Sequence, residues 1–168
     1  MIVLDTTVLV YATGAEHRLR EPCRRLVSAI AEGLIEATTT VEVVQEFVHV
    51  RGRRRPRADA AELGTAYADL LGPLLHVSAE TLGAGLQLYR DHEHLGAFDA
   101  VLAAAVLSSQ ADAIVSADAA FSVVRGVTHV VPDEAGVARL LGASPRFSPG
   151  PDTPDTGSVL EDLRNDRE

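Results

Sequence analysis

A short apolar run that stops on a carboxylate constrains this chain more than any other feature. Ile2, Val3 and Leu4 end on Asp5, two threonines follow, and a second apolar run extends from Val8 to Ala12. A buried strand that stops on an acid and turns into a helix puts that acid at the carboxyl end of a sheet. In open α/β folds that edge is where ligands bind. Asp is also a favoured helix N-cap, so this stretch alone leaves Asp5 open between a cap and a ligand-binding group. The stretch Ala113 to Asp118 (AIVSAD) repeats the arrangement, a short apolar strand running out through Ser116 and ending near Asp118.

Periodicity organises the rest. Glu16 to Gly33 reads as a helix, with Leu19, Cys23, Leu26, Val27 and Ile30 at helical spacing and Gly33 ending it. Leu34 to Thr38 is a strand, and any of Thr38, Thr39 and Thr40 can cap the helix Val41 to Arg51. Ala58 to Leu71 is helical and Gly72-Pro73 stops it. Leu74 to Val77 reads as a short strand, and Ser78 opens a helix to about Tyr89. The apolar run Leu95 to Leu107 contains a further helix, Ala113 to Val115 and Thr128 to Val131 are strands, and Asp133 to Leu141 is the last helix. Strands alternating with helices predict an α/β fold, an α/β/α sandwich around a central, mostly parallel sheet. No internal repeat is visible.

A length of 168 residues with 46% apolar content suits one domain with a remainder. Residues 1–142 form that domain. Residues 143–168 are rich in Pro, Gly, Ser and Asp, a composition expected to stay disordered, with one turn or two of helix within Val159 to Arg167. No run approaches the roughly 18–20 apolar residues of a membrane span, and the N-terminus lacks a basic region before its apolar run. Cys23 is the single cysteine, which excludes an internal disulfide. These features predict a cytoplasmic protein.

The net charge of −9 argues against a nucleic-acid binder until its distribution is considered. The tail carries three Arg against six acids, whereas Arg51, Arg53, Arg54, Arg55 and Arg57 crowd into seven positions. There is no lysine. Within Leu95 to Leu107, Asp99 is the only charge, and a lone carboxylate in such surroundings is costly unless it is hydrogen-bonded, paired or metal-bound. A helix cap is the plainer role for it. Glu46 lies on the narrow polar stripe of an otherwise apolar helix, with Glu42 one turn earlier as its rival. Carboxylates drawn from distant parts of a chain repel one another unless a cation holds them, and hard oxygen donors suit Mg²⁺ or Mn²⁺. The chemistry such a site implies is metal-dependent phosphodiester hydrolysis.

The segments IVLDTTVLVY, TTTVEVVQEF, LGAFDAVLAAAV and IVSADAAF stand in the order seen in PIN-domain ribonucleases, and over about residues 1–132 the chain resembles the VapC-type toxins of toxin–antitoxin pairs. The resemblance implies a catalytic and metal-binding set of Asp5, Glu46, Asp99 and Asp118, with Glu46 preferred to Glu42 because it precedes Phe47. Ser116 falls where the family often has a Ser or Thr beside the site, and Thr6 is a supporting candidate. The resemblance further implies an Mg²⁺- or Mn²⁺-dependent endoribonuclease, a cognate antitoxin, and assembly as a homodimer or higher complex. The tail is longer than a minimal PIN domain.

The arginine run is a candidate RNA contact (Arg51, Arg53, Arg54, Arg55); a solubilising turn and a dock for the antitoxin or the acidic tail are its alternatives. His92 and His94 alternate with Glu93 in a spacing poor for zinc. His49 reads as a surface histidine and Cys23 as core. A dehalogenase-type phosphatase also opens with a strand ending on Asp. It wants a second acid where Thr7 stands and usually a lysine, and receiver and P-loop proteins fail on the same lack of lysine. A non-toxin PIN nuclease of RNA processing and a catalytically silent PIN-fold binding module remain as alternatives.

Overall fold

The computed structural model of the chain describes residues 1–143. The expected disorder and late helix of the tail lie outside those residues, and the expected boundary after residue 142 falls one residue before their end. Four parallel strands form one sheet, β1 (Ile2–Leu4), β2 (Ala37–Thr38), β3 (Ala113–Val115) and β4 (His129–Val130), in the order β2-β1-β3-β4. β1 and β3 are buried at every position. That follows from their unbroken apolar sequences, since a parallel sheet is covered on both faces.

Around the sheet lie α1 (Thr6–Thr13), α2 (Arg20–Ala31), α3 (Val41–Gly52), α4 (Arg57–Leu70), α5 (Ala79–Asp91), α6 (Ala97–Ser109) and α7 (Glu134–Ala143). The predicted sandwich is the observed one. α1 packs on α2 and α3, α3 on α4, α5 on α6, and α2 on α7. Phe47 of α3 and Tyr67 of α4 are both essentially fully buried and meet edge to face, centroids 5.1 Å apart at 85°. Such a pair contributes about 0.5–1.5 kcal/mol beyond its area. Cys23 is buried in the same core, and burial pushes its thiol up to about 12, so it is a packing residue. Among the described residues no helix is long and apolar enough to cross a membrane.

Three sequence expectations need correction. Leu74 to Val77 is not a strand; a single parallel bridge joins Leu75 to Thr40, with the Leu75 amide donating to the Thr39 carbonyl at 2.8 Å. Its would-be ladder partner ends there, because Thr40 is already the N-cap of α3, its hydroxyl accepting from the Val43 amide. The second helix starts at Arg20 rather than Glu16. His17 stacks on Tyr11 at 4.4 Å and its Nδ1 accepts from the Leu19 amide, holding the entry as a turn. The buried stripe of α3 is narrower than its valines suggest, with Val43 and Phe47 buried and Val41 exposed. Gly33, at φ +70°, ends α2 as expected.

β1 leads on to β2 on one side while β3 leads on to β4 on the other. The gap between the carboxyl ends of β1 and β3 is therefore the point where the winding reverses, which is where a crevice forms in such sheets.

Candidate active site

Asp5 leaves β1 at that reversal point. Its amide donates to the Val115 carbonyl at 3.0 Å, extending the ladder by one step, and the residue is 4% exposed. Its Oδ2 accepts from Thr7 Oγ1 at 2.6 Å, Ser116 Oγ at 2.7 Å and the Thr7 amide at 3.3 Å. The last bond makes Asp5 the N-cap of α1. The other oxygen, Oδ1, makes no hydrogen bond among the described residues, so capping uses one atom of the carboxylate and leaves the other for a ligand. Three donors compensate the burial of this carboxyl group.

Two hydroxyls stitch the strand ends together. Ser116 Oγ donates to Asp5 and accepts from the Asp118 amide at 2.9 Å, while Thr7 Oγ1 donates to Asp5 and accepts from the Ala117 amide at 3.0 Å. Asp118 then caps a short 3-10 helix, Ala119–Val123, its Oδ1 accepting from the Ala120 amide at 2.8 Å. Thr6, the first residue of α1, donates through Oγ1 to Glu46 Oε2 at 2.7 Å across to α3. That bond separates Glu46 from Glu42: both are exposed on the same cleft wall, but among the described residues Glu42 has no such tether.

Asp99 sits in the first turn of α6. Its carboxylate reaches back to the backbone N–H of Gly96, the N-cap, which is the return half of a capping box. A Cβ at Gly96 would stand 2.6 Å from Asp99 Oδ2, so a bare backbone at 96 is what lets the carboxylate fold back. Burial first, then the charges of Asp5, Asp118 and Glu46, push Asp99 up to about 6. The other three predicted acids therefore all stand close enough to act on Asp99, although Asp118 is not among the residues that line the cleft.

Asp5, Glu42, Glu46 and Asp99 line a cleft of about 430 Å³ with Thr40, and Leu82, Leu86, Phe98 and Val101 form its apolar wall. Phe98, beside Asp99, is 75% exposed. The donor set is all carboxylate and hydroxyl oxygen, which fits Mg²⁺ or Mn²⁺ rather than a softer ion. Among the described residues, however, no three His, Cys, Asp or Glu side chains already stand close enough to hold an ion. The expected four-ligand shell is thus four acids at Coulombic range, each drawn aside by a hydroxyl or amide of its own neighbourhood. An ion held by all four would require their side chains to rotate. His92 and His94 likewise belong to no such group among the described residues.

Arg51 departs from the expected RNA-facing role. Its guanidinium forks onto Asp59, Nε to Oδ2 at 2.5 Å and Nη2 to Oδ1 at 2.9 Å, and Nη1 donates to the Thr13 carbonyl. With its side chain about 10% exposed, it ties α3, α4 and the end of α1 together. Arg53, Arg54 and Arg55 are exposed. Thr7 is the residue that sequence reasoning missed; its only signal was a hydroxyl two positions after an N-cap Asp.

The model of the PIN domain family matches residues 2–127. The chain is similar to ribonuclease VapC7 of Mycobacterium tuberculosis, 57% identical over 143 residues, which are 84% of this chain and 99% of that protein. It is also similar to ribonuclease VapC23 of the same species, 30% identical over 102 residues, 59% of this chain and 78% of that protein. Three acids gathered from two strand ends and an apolar helix, a fourth tethered from α3, and a sequence match over three quarters of the chain lead to one conclusion: this protein is a member of the PIN-domain family.

Proposed function

We propose that the protein is a VapC-type endoribonuclease, the toxin of a toxin–antitoxin pair, hydrolysing RNA phosphodiester bonds with Mg²⁺ or Mn²⁺ held among Asp5, Glu46, Asp99 and Asp118. The observation that carries this reading is Asp99 sharing one cleft with Asp5 and Glu46 and standing within Coulombic range of Asp118 as well, in a chain 57% identical to a ribonuclease. Bound there, a divalent ion would neutralise the acids, accept phosphate oxygens and lower the pKa of a water. Ser116 and Thr7 hold Asp5 Oδ2 and so fix where Oδ1 is presented. Thr6 does the same for Glu46, and Gly96 orients Asp99. In the hydrolysis, water oxygen forms a bond to phosphorus, the ester P–O bond breaks, and the departing oxygen takes up a proton. Phe98 and the leucines of the opposite wall offer apolar surface against which a base can lie.

A cognate antitoxin, a homodimer or higher assembly, and a cytoplasmic site of action belong to the same reading. The test is to strip the purified protein of any partner and incubate it with structured RNA. Cleavage with Mg²⁺ or Mn²⁺ that stops on adding chelator supports the proposal. Intact RNA under all metal conditions overturns it in favour of a silent PIN-fold binding module.

A further inference from the structure

Toward the C-terminal end of α3, past the acids, lies a second cleft of about 390 Å³. Arg20, Arg51, Arg54 and Arg55 line it above an apolar floor of Val10, Phe47 and Val50, and Glu16 is its one acid. The nuclease reading makes no use of it. We infer that this cleft is the docking site of the chain's own acidic C-terminal segment, residues 144–168.

Three observations favour that occupant. The first is charge: the segment carries six acids against three arginines, whereas the cleft is lined by Arg20, Arg54 and Arg55 against Glu16, with Arg51 balanced by its partner Asp59. The second is chemistry. Val159, Leu160 and Leu163 interleave with Glu161 and Asp162, an amphipathic pattern that matches an apolar floor rimmed by guanidinium groups. A phosphate backbone would use the rim, leave the floor idle and face Glu16. The third is reach. The segment departs from α7, which packs on α2 and is pinned to it by Arg25 and Glu134 at 2.6 Å; α2 begins with Arg20, a cleft residue. Twenty-five residues extend to about 80 Å, against a radius of gyration of about 14 Å for a domain of this size. Being tethered, the segment competes at an effective concentration in the millimolar range.

The experiment uses the whole chain labelled with ¹⁵N, in its parental form and as the D152N/D155N/E161Q/D162N variant. The expected result is a shift of the Val10, Gly14, Glu16, Val50 and Arg54 amides between the two forms, with the Glu42 and Asp99 amides unmoved. The shift should be independent of protein concentration and be lost when Arg54→Glu is added. Identical cleft amides in the two forms would overturn the inference. So would a concentration-dependent shift, which assigns the cleft to a second copy of the chain. An RNA oligonucleotide that moves the cleft amides equally in both forms would also overturn it, by assigning the arginines to RNA.

Discussion

Asp5 caps α1 through one oxygen and leaves the other without a hydrogen bond among the described residues, and in the proposed function that second oxygen is the metal ligand. If the Ser116 hydroxyl fixes Oδ2, Ser116→Ala removes one charge-assisted bond and leaves the Asp118 amide without its acceptor. The expected cost is about 1–3 kcal/mol in urea denaturation, with Mn²⁺ affinity weakened about 10–100-fold in a calorimetric titration. Unchanged affinity would show that Asp5 is held well enough by Thr7 alone. Asp99 gives a prediction with a definite sign. Its pKa is raised from 3.8 to about 6 in the folded chain, so the native state holds its proton more tightly than the unfolded one. Stability of the metal-free protein therefore falls as pH rises from about 4 through about 6, and the deficit is complete above that. Asp99→Asn should melt higher than the parent at pH 8, by about 2–4 °C, and the gap should vanish near pH 4. At this scale Asp5, Ser116, Asp99 and Asp118 were legible because apolar runs stopped at or enclosed them. Arg51 was misread because a run of arginines does not reveal which one has a buried partner, here Asp59 eight residues on.

The helices were legible where caps and periodicity agreed. Ser78, whose hydroxyl accepts from the Thr81 amide, opens α5, and Thr40 opens α3. The segment Leu74 to Val77 misled because apolar residues suit a strand, yet pairing depends on a neighbour with ladder left to offer, and β2 is two residues long. Close helix contacts were also hidden. A Cβ at Gly85 of α5 would stand 2.7 Å from Val101 Cα of α6, so the wall of the acidic cleft depends on a glycine that the sequence presents as an ordinary helix weakness. Gly85→Ala should improve local helix propensity yet destabilise the protein by about 1–3 kcal/mol through overpacking. Thermal unfolding decides the sign, and a higher Tm would mean that α5 can shift away at little cost.

For the whole molecule, alternation of strands and helices made the parallel sheet legible, while the order β2-β1-β3-β4 was not, because pairing between β1 and β3 spans about 110 residues. That order is what sets Asp5 beside Ser116. A chain of net charge −9 with its acids in the cleft repels RNA unless a cation intervenes. The dependence on a divalent metal should therefore appear in substrate binding as well as in chemistry: in a filter-binding assay, RNA affinity should fall on chelation. The central claim is that Asp5 and Asp99 serve one metal-dependent site for RNA hydrolysis. Its most direct test is single-turnover RNA cleavage by the parent, Asp5→Asn and Asp99→Asn in Mn²⁺, with circular dichroism showing that each variant is folded. The account predicts cleavage by the parent and at least a 100-fold loss in both variants, about 3 kcal/mol of transition-state stabilisation; parental rates in either folded variant would contradict it.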